Sequence, residues 1–186
     1  TITLNRPQVL NALDADMIEL LRSACERARD DAAVRVIVLR GNGAAFLAGG
    51  DVAMFHANLP RLPRMVEKIA RELHHAVSAL RHAAKPVVAS VHGAVAGAGI
   101  SLLAAADYAL AAADSRFMLA YSKIAASPDG GSTWFLPRLV GYRKALELTL
   151  LSEPFDAEAA LAMGLVNRVV AGQDLEAETA RTARRP

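Results

Sequence analysis

Hydrophobic positions along this chain switch repeatedly between strand-like and helix-like spacing. Thr1–Leu4 reads as a strand, and Asn5-Arg6-Pro7 breaks it. Asp14 or Asp16 can cap a helix reaching about Asp30, with Met17, Leu20, Leu21, Ala24 and Ala28 near one face. The apolar run Val34–Leu39 predicts a strand covered on both sides, followed by a loop from Gly41 to Gly50. Pro63 suits a first helical position, and the pattern predicts a helix from there to about His82. Next come a strand at Val87–Val91, a helix from about Gly97, a strand at Tyr108–Ala111 and a short one at Phe117–Leu119. Beyond the turn signal Pro128-Asp129-Gly130-Gly131 the pattern turns helical, at Ser132–Leu139, Tyr142–Leu151 and Ala157–Met163. A short strand at Leu165–Val170 and a polar helix from Gln173 complete the series. This is an α/β order whose strands are largely enclosed by helices.

Composition adjusts this picture in three places. A length of 186 residues with 53% hydrophobic content suits one domain with a sizeable core. Val87–Ala106 carries no Asp, Glu, Lys or Arg and is long enough to span a bilayer. Its valine-rich first half and Gly/Ala second half read instead as a buried strand, a turn and a buried helix, so no membrane partner is expected. The net charge of +2 is interspersed, and the Arg181–Arg185 tail reads as a solvated helix end, so no nucleic-acid partner is expected. Cys25 is the lone cysteine, which excludes an internal disulfide and fits a reducing, cytoplasmic location. It reads as core filler. The chain opens on Thr1 with neither a secretory signal nor an initiator methionine, which leaves room for residues before it.

The chemistry is concentrated in two glycine-rich segments, Ala44–Asp51 and His92–Ser101. Each follows a strand pattern and leads into a helix pattern, so each presents free backbone N–H groups at a helix start. Two such turns converging would form an oxyanion hole. Taken singly, either turn reads better as glycine and alanine permitting close helix–strand packing; the two together, each after a strand, favour the site. The spacing Gly93-x-x-x-Gly97-x-Gly99 does not fit a dinucleotide-binding turn. Histidines 56, 82 and 92 have no metal-ligand spacing, so no metal is expected.

Leu4-Asn5-Arg6-Pro7 with Leu10-Asn11-Ala12-Leu13, then Phe46-Leu47-Ala48-Gly49-Gly50-Asp51 and the His92–Ser101 segment, resemble the crotonase superfamily of enoyl-CoA hydratases and isomerases. Ala106–Ala111 and Gly164–Val170 extend the resemblance over nearly the whole chain. It implies a spiral of β-β-α repeats with helices enclosing the sheets, in a core domain over residues 1–172. Residues 173–186 would begin a C-terminal helical region that is incomplete here. It also implies an acyl-CoA substrate with coenzyme A as part of that substrate, no separate cofactor, and a homotrimer or dimer of trimers.

By position, the oxyanion donors would be the N–H groups of Gly50 and Ala98. Alanine serves in place of the family's usual glycine if its backbone stays in an ordinary region. Where hydratases of the family carry two glutamates, this chain has Ser101 and Tyr121. Ser101 reads as a packing residue bonded to its own helix, and Tyr121 as a wall of the acyl pocket. Asp129, a helix cap on turn statistics, matches the proton-shuttling aspartate of the isomerase branch. Ala48, Asp51, Tyr121, His74 and Arg6 are the candidate substrate-binding residues. His74 matches a water-activating histidine in a dehalogenase of the superfamily, yet also reads as an ordinary helix residue. Arg6 lies near a position that approaches coenzyme A phosphates in relatives, or is surface charge. The favoured activity is acyl-CoA isomerisation through Asp129. Hydration, hydrolysis and a catalytically idle acyl-CoA-binding protein are the alternatives.

Overall fold

A computed structural model describes residues 1–185; Pro186, the last residue of the expected C-terminal region, lies outside them. The chain runs β1 (Ile2–Leu4), α1 (Ala15–Asp30), β2 (Ile37–Gly41), β3 (Ala45–Leu47), α2 (Val52–Ala57), α3 (Leu62–Arg81), β4 (Val87–Val91), β5 (Ala94–Ala96) and α4 (Ala98–Ala104). It continues with β6 (Tyr108–Ala112), β7 (Arg116–Met118), α5 (Ser132–Leu139), α6 (Tyr142–Leu151), β8 (Phe155–Asp156), α7 (Ala157–Ala162), β9 (Arg168–Val170) and α8 (Leu175–Ala183).

The strands form two sheets. One is parallel throughout in the order β1-β2-β4-β6-β9; the other runs β3-β5-β7-β8, with only the last pair antiparallel. Each of β2, β4 and β6 is followed within a few residues by a short strand of the second sheet, and then by helix. Three β-β-α turns are therefore stacked side by side, in the same order in both sheets. This is the crotonase fold.

The helices form where the sequence provides one apolar face. In α3 the buried positions Ile69, Leu73, Val77 and Leu80 follow helical spacing, and they meet Met17, Ile18, Leu21 and Cys25 of α1. Asp14 caps α1 by accepting the Met17 N–H at 2.8 Å. Cys25 is fully buried, and that burial pushes its thiol up to about 12, which makes it a core side chain and not a nucleophile. α4 is buried at every position, as its Gly/Ala composition allows. No helix among the described residues is long and apolar enough to cross a membrane. Val87–Ala106 divides into β4, β5 and α4, so its expected turn contains a strand.

Two expectations are corrected. The strand predicted at Val34–Leu39 lies at Ile37–Gly41, and only alternate residues are fully buried. Val38 and Arg40 face α8, which covers that side incompletely. α8 packs on β4 and β6, where Leu175 joins Val88, Leu110 and Ala112 in a second small core.

Asn11 fastens the first glycine-rich segment to this framework. It is fully buried in the left-handed region, at φ +59°. Its Nδ2 donates to the carbonyls of Asn42 and Ala45 at 2.9 and 2.8 Å, with the Phe46 carbonyl at 3.2 Å. Its Oδ1 accepts the Arg6 N–H at 2.8 Å. Alanine would leave these groups buried without partners and would occupy a backbone region that asparagine tolerates better. Asn11→Ala is expected to lower the unfolding free energy by about 3 kcal/mol or more, read by urea denaturation. A loss below about 1 kcal/mol would mean that water replaces the amide.

Candidate active site

The loop Gly49-Gly50-Asp51 is stitched to the start of α1. Leu13 donates to the Gly49 carbonyl at 2.8 Å and accepts the Asp51 N–H at 2.9 Å. Asp51 caps α2 by accepting the Met54 N–H at 3.0 Å. Arg6 pairs with Asp51 at 3.2 Å and with Asp14 at 3.0 Å, and it also donates to the Ala12 carbonyl. One guanidinium thus ties together the capping carboxylates of two helices. Ala48, just ahead of this loop, donates its N–H to Leu10 at 3.1 Å.

The second loop ends at Gly97, the residue before α4, with φ +50° and ψ −118°. A side chain is disfavoured in that conformation, which turns the strand sharply into the helix. Gly99 meets a different constraint, since a Cβ there would collide with the Leu47 carbonyl. That close approach presses the start of α4 onto β3.

These two loops abut. A Cβ on Gly97 would lie 3.6 Å from the Gly49 Cα, and one on Gly49 would lie 3.3 Å from the Ala96 carbonyl. The residues that touch, Gly49 and Gly97, immediately precede Gly50 and Ala98. Among the described residues, neither the Gly50 nor the Ala98 N–H donates to a turn or loop carbonyl. Ala98 is the first residue of α4 and has no positive φ, so alanine meets the condition set for a backbone donor. The arrangement offers two free amides from adjoining loops, one of them at a helix N-terminus.

Asp129 approaches from a third direction. Its Oδ1 accepts the Tyr121 phenol O–H at 2.7 Å. The ring of Tyr121 lies beside Gly97, with Cζ 4.0 Å from where a Cβ would stand. Ser101 Oγ lies 3.2 Å from the Tyr121 oxygen and donates to the Asp129 carbonyl at 2.9 Å. The two positions that the resemblance matches to hydratase glutamates are therefore wired to Asp129. A cleft of about 460 Å³ opens beside this group, lined by His74, Val77, Arg81, Asp129, Trp134 and Phe135 among others. Burial pushes the Asp129 carboxyl above the usual carboxylate range; the Tyr121 hydrogen bond and the His74 imidazole oppose that rise. Burial, and then the charge of Asp129, push the Tyr121 phenol above the usual tyrosine range, so it stays protonated and donates.

Several expectations change. Arg6 is not left as a free cation for phosphates, because its terminal nitrogens are held by Asp14, Asp51 and Ala12. Asp51 is likewise engaged as a helix cap and ion-pair partner, which places both residues as loop clamps. Ser101 bonds not to its own helix but across to the Asp129 loop. The Asp129 carboxylate does not cap α5: Gly131 holds the cap position, and only the Asp129 backbone carbonyl accepts bonds there, from the N–H and Oγ of Ser132. His74 is exposed and lines the cleft. The Ser101–Tyr121–Asp129 connection was not foreseen. Its only signal in the sequence is that hydroxyl groups stand at both glutamate positions.

Comparison with known proteins bears on the fold and the family. A family model described as enoyl-CoA hydratase/isomerase matches residues 1–185. A Rhodobacter capsulatus protein named "Probable enoyl-CoA hydratase" is 42% identical over 192 residues, covering 100% of this chain and 72% of the relative. A trans-2-decenoyl-[acyl-carrier-protein] isomerase from Streptococcus mutans is 35% identical over 193 residues, covering 100% and 71%. The crystal structure of an enoyl-CoA hydratase from Polaromonas sp. JS666 superposes with a TM-score of 0.90 at 36% identity, covering 97% of this chain and 70% of that one.

Proposed function

Because the chain belongs to the enoyl-CoA hydratase/isomerase family, we propose that it is an acyl-CoA isomerase that moves a carbon–carbon double bond through Asp129. The observation that carries this reading is the Asp129 carboxylate, bonded to the Tyr121 phenol whose ring lies beside Gly97. Asp129 is the acid held there, and the two positions that would supply a hydratase with glutamates are Ser101 and Tyr121, both hydrogen-bonded to it.

In this reading the thioester oxygen of a 3-enoyl-CoA sits between the N–H groups of Gly50 and Ala98. Asp129 removes a proton from C2, and the electron pair spreads over C2, C4 and the carbonyl oxygen as a dienolate. The two amides stabilise the charge on that oxygen, each donor contributing roughly 3–4 kcal/mol to the barrier reduction. The same carboxylic acid returns the proton at C4, which leaves the double bond between C2 and C3. Atoms and charge balance with no redox partner, and coenzyme A enters and leaves as part of the substrate. A cytoplasmic homotrimer or dimer of trimers belongs to the same reading.

His74 lining the Asp129 cleft supports a second reading, in which Asp129 displaces a leaving group from the ring or chain of the acyl group to form an ester, and water activated by His74 hydrolyses that ester and frees Asp129. One assay separates the readings. 3-Enoyl-CoA and 2-enoyl-CoA are presented separately and followed by absorbance and mass. The expected result is interconversion without change of mass. A gain of water on 2-enoyl-CoA would replace isomerase with hydratase, and thioester binding without turnover would leave a binding protein.

A further inference from the structure

We propose that Tyr121 is a positioning residue, whose phenol, seated against Ser101, engages one oxygen of Asp129 and leaves the other as the single oxygen that moves the substrate proton. This rests on the isomerase reading and adds what the residues at the former glutamate positions do.

Three contacts close a ring between α4, the Tyr121 turn and the Asp129 loop. Tyr121 donates to Asp129 Oδ1 at 2.7 Å. Ser101 Oγ donates its one proton to the Asp129 carbonyl at 2.9 Å, so at 3.2 Å from Tyr121 it can only accept or stand in contact. Tyr121 and Ser101 are both buried, at 8% and 0% exposed, so water does not substitute for them. The ring is further fixed by Gly130, where an added Cβ would lie 2.7 Å from the Ser101 Cβ. With loop and Oδ1 both held, the carboxylate plane is fixed, and Oδ2 alone is free. A one-oxygen shuttle must collect and return its proton on one face of the substrate.

The same bond favours the ionised form of a carboxyl whose pKa burial raises. The other ionisable groups lining the cleft are His74 and Arg81 of α3 and His82 just after it. Arg81 is already paired with Asp107 at 2.8 Å, and no second carboxylate lines the cleft among the described residues.

The test compares wild type, Tyr121→Phe and Ser101→Ala as full chains, with two readouts. The first is the pH profile of kcat/KM for 3-enoyl-CoA. Tyr121→Phe is expected to move its acid limb up by about one unit or more, because a hydrogen bond to the charged form is lost. KM should change little, and part of the rate should return at high pH. Ser101→Ala should move the limb the same way but less. The second readout is the carboxyl carbon-13 titration of Asp129 in the free protein, which needs no turnover and should shift by the same amount. A residue with a merely structural role would lower the rate at every pH and leave both midpoints in place, and that result overturns the proposal. If Asp129 titrates higher in Tyr121→Phe but wild type isomerises nothing, the positioning contact stands and the isomerase reading fails.

Discussion

Asp129→Asn is expected to lower kcat for double-bond migration by about 10²–10⁴-fold while leaving thioester binding within a few-fold of wild type. The amide has the shape of the carboxylate, and its oxygen can still accept the Tyr121 phenol. The bonds that hold the loop, from Ser101 Oγ and from the N–H and Oγ of Ser132, all go to the Asp129 backbone carbonyl, which the substitution does not touch. What disappears is the ability to take and return a proton. Stability should move in the opposite sense. A carboxyl whose folded pKa is raised holds its proton more tightly when folded, so its contribution to stability declines as pH rises from the ordinary aspartate value through the raised one. The asparagine variant lacks that decline, so at neutral pH it should be at least as stable as wild type. Isomerisation kinetics, calorimetric binding of a non-reacting thioester and urea unfolding read the three effects separately. Full rate in Asp129→Asn would remove Asp129 from the chemistry.

How much of this was legible beforehand follows from the range of the interactions involved. α1 and α3 bury a face at helical spacing, so their extents could be read from Met17, Leu21, Leu73 and Leu80 almost to the residue. β4 and β6 show as apolar runs for the same local reason. β3, β5 and β8 are two or three residues long, too short for any period, and exist because Ala45, Ala94 and Arg116 meet in a second sheet. The strand read at Val34 starts at Ile37 because pairing with Val87, not hydrophobicity, sets its beginning. In the site, the two glycine-rich turns stood out by residue type, and Asp129 only through the family resemblance. Their wiring did not. Ser101 read as bonding to its own helix because the Asp129 carbonyl, twenty-eight residues on, offers no local sign of its approach. Arg6 read as a phosphate contact or as surface charge because Asp14 and Asp51 become its partners only once α1 and α2 are capped. Local pattern therefore gave the elements, and long-range closure decided which charges remained free.

The proposed pairing of the Gly50 and Ala98 amides allows a test that removes one donor and little else. Ala98→Pro is expected to lower kcat by about 10²–10³-fold with the fold retained. Proline ordinarily breaks a helix by deleting an internal N–H and clashing with the preceding turn, but neither applies at the first helical position. Ala98 holds that position in α4, where the fixed φ of proline matches helical geometry. The residue before a proline must avoid the helical region, and Gly97 does so at ψ −118°. Without a Cβ, Gly97 treats −118° as the mirror of +118°, close to the range that pre-proline residues prefer. The helix keeps its first turn, since the N–H groups of Ile100 and Ser101 still reach the Gly97 carbonyl, at 3.0 and 3.3 Å. Only the amide that the isomerase reading assigns to the thioester oxygen is replaced, by a ring carbon. Ala98→Gly, which keeps the N–H, should stay within a few-fold of wild type and so separates loss of the donor from loss of the side chain. Circular dichroism and urea unfolding establish that the proline variant is folded. If that folded variant turns over at the wild-type rate, the negative charge is stabilised somewhere other than between Gly50 and Ala98.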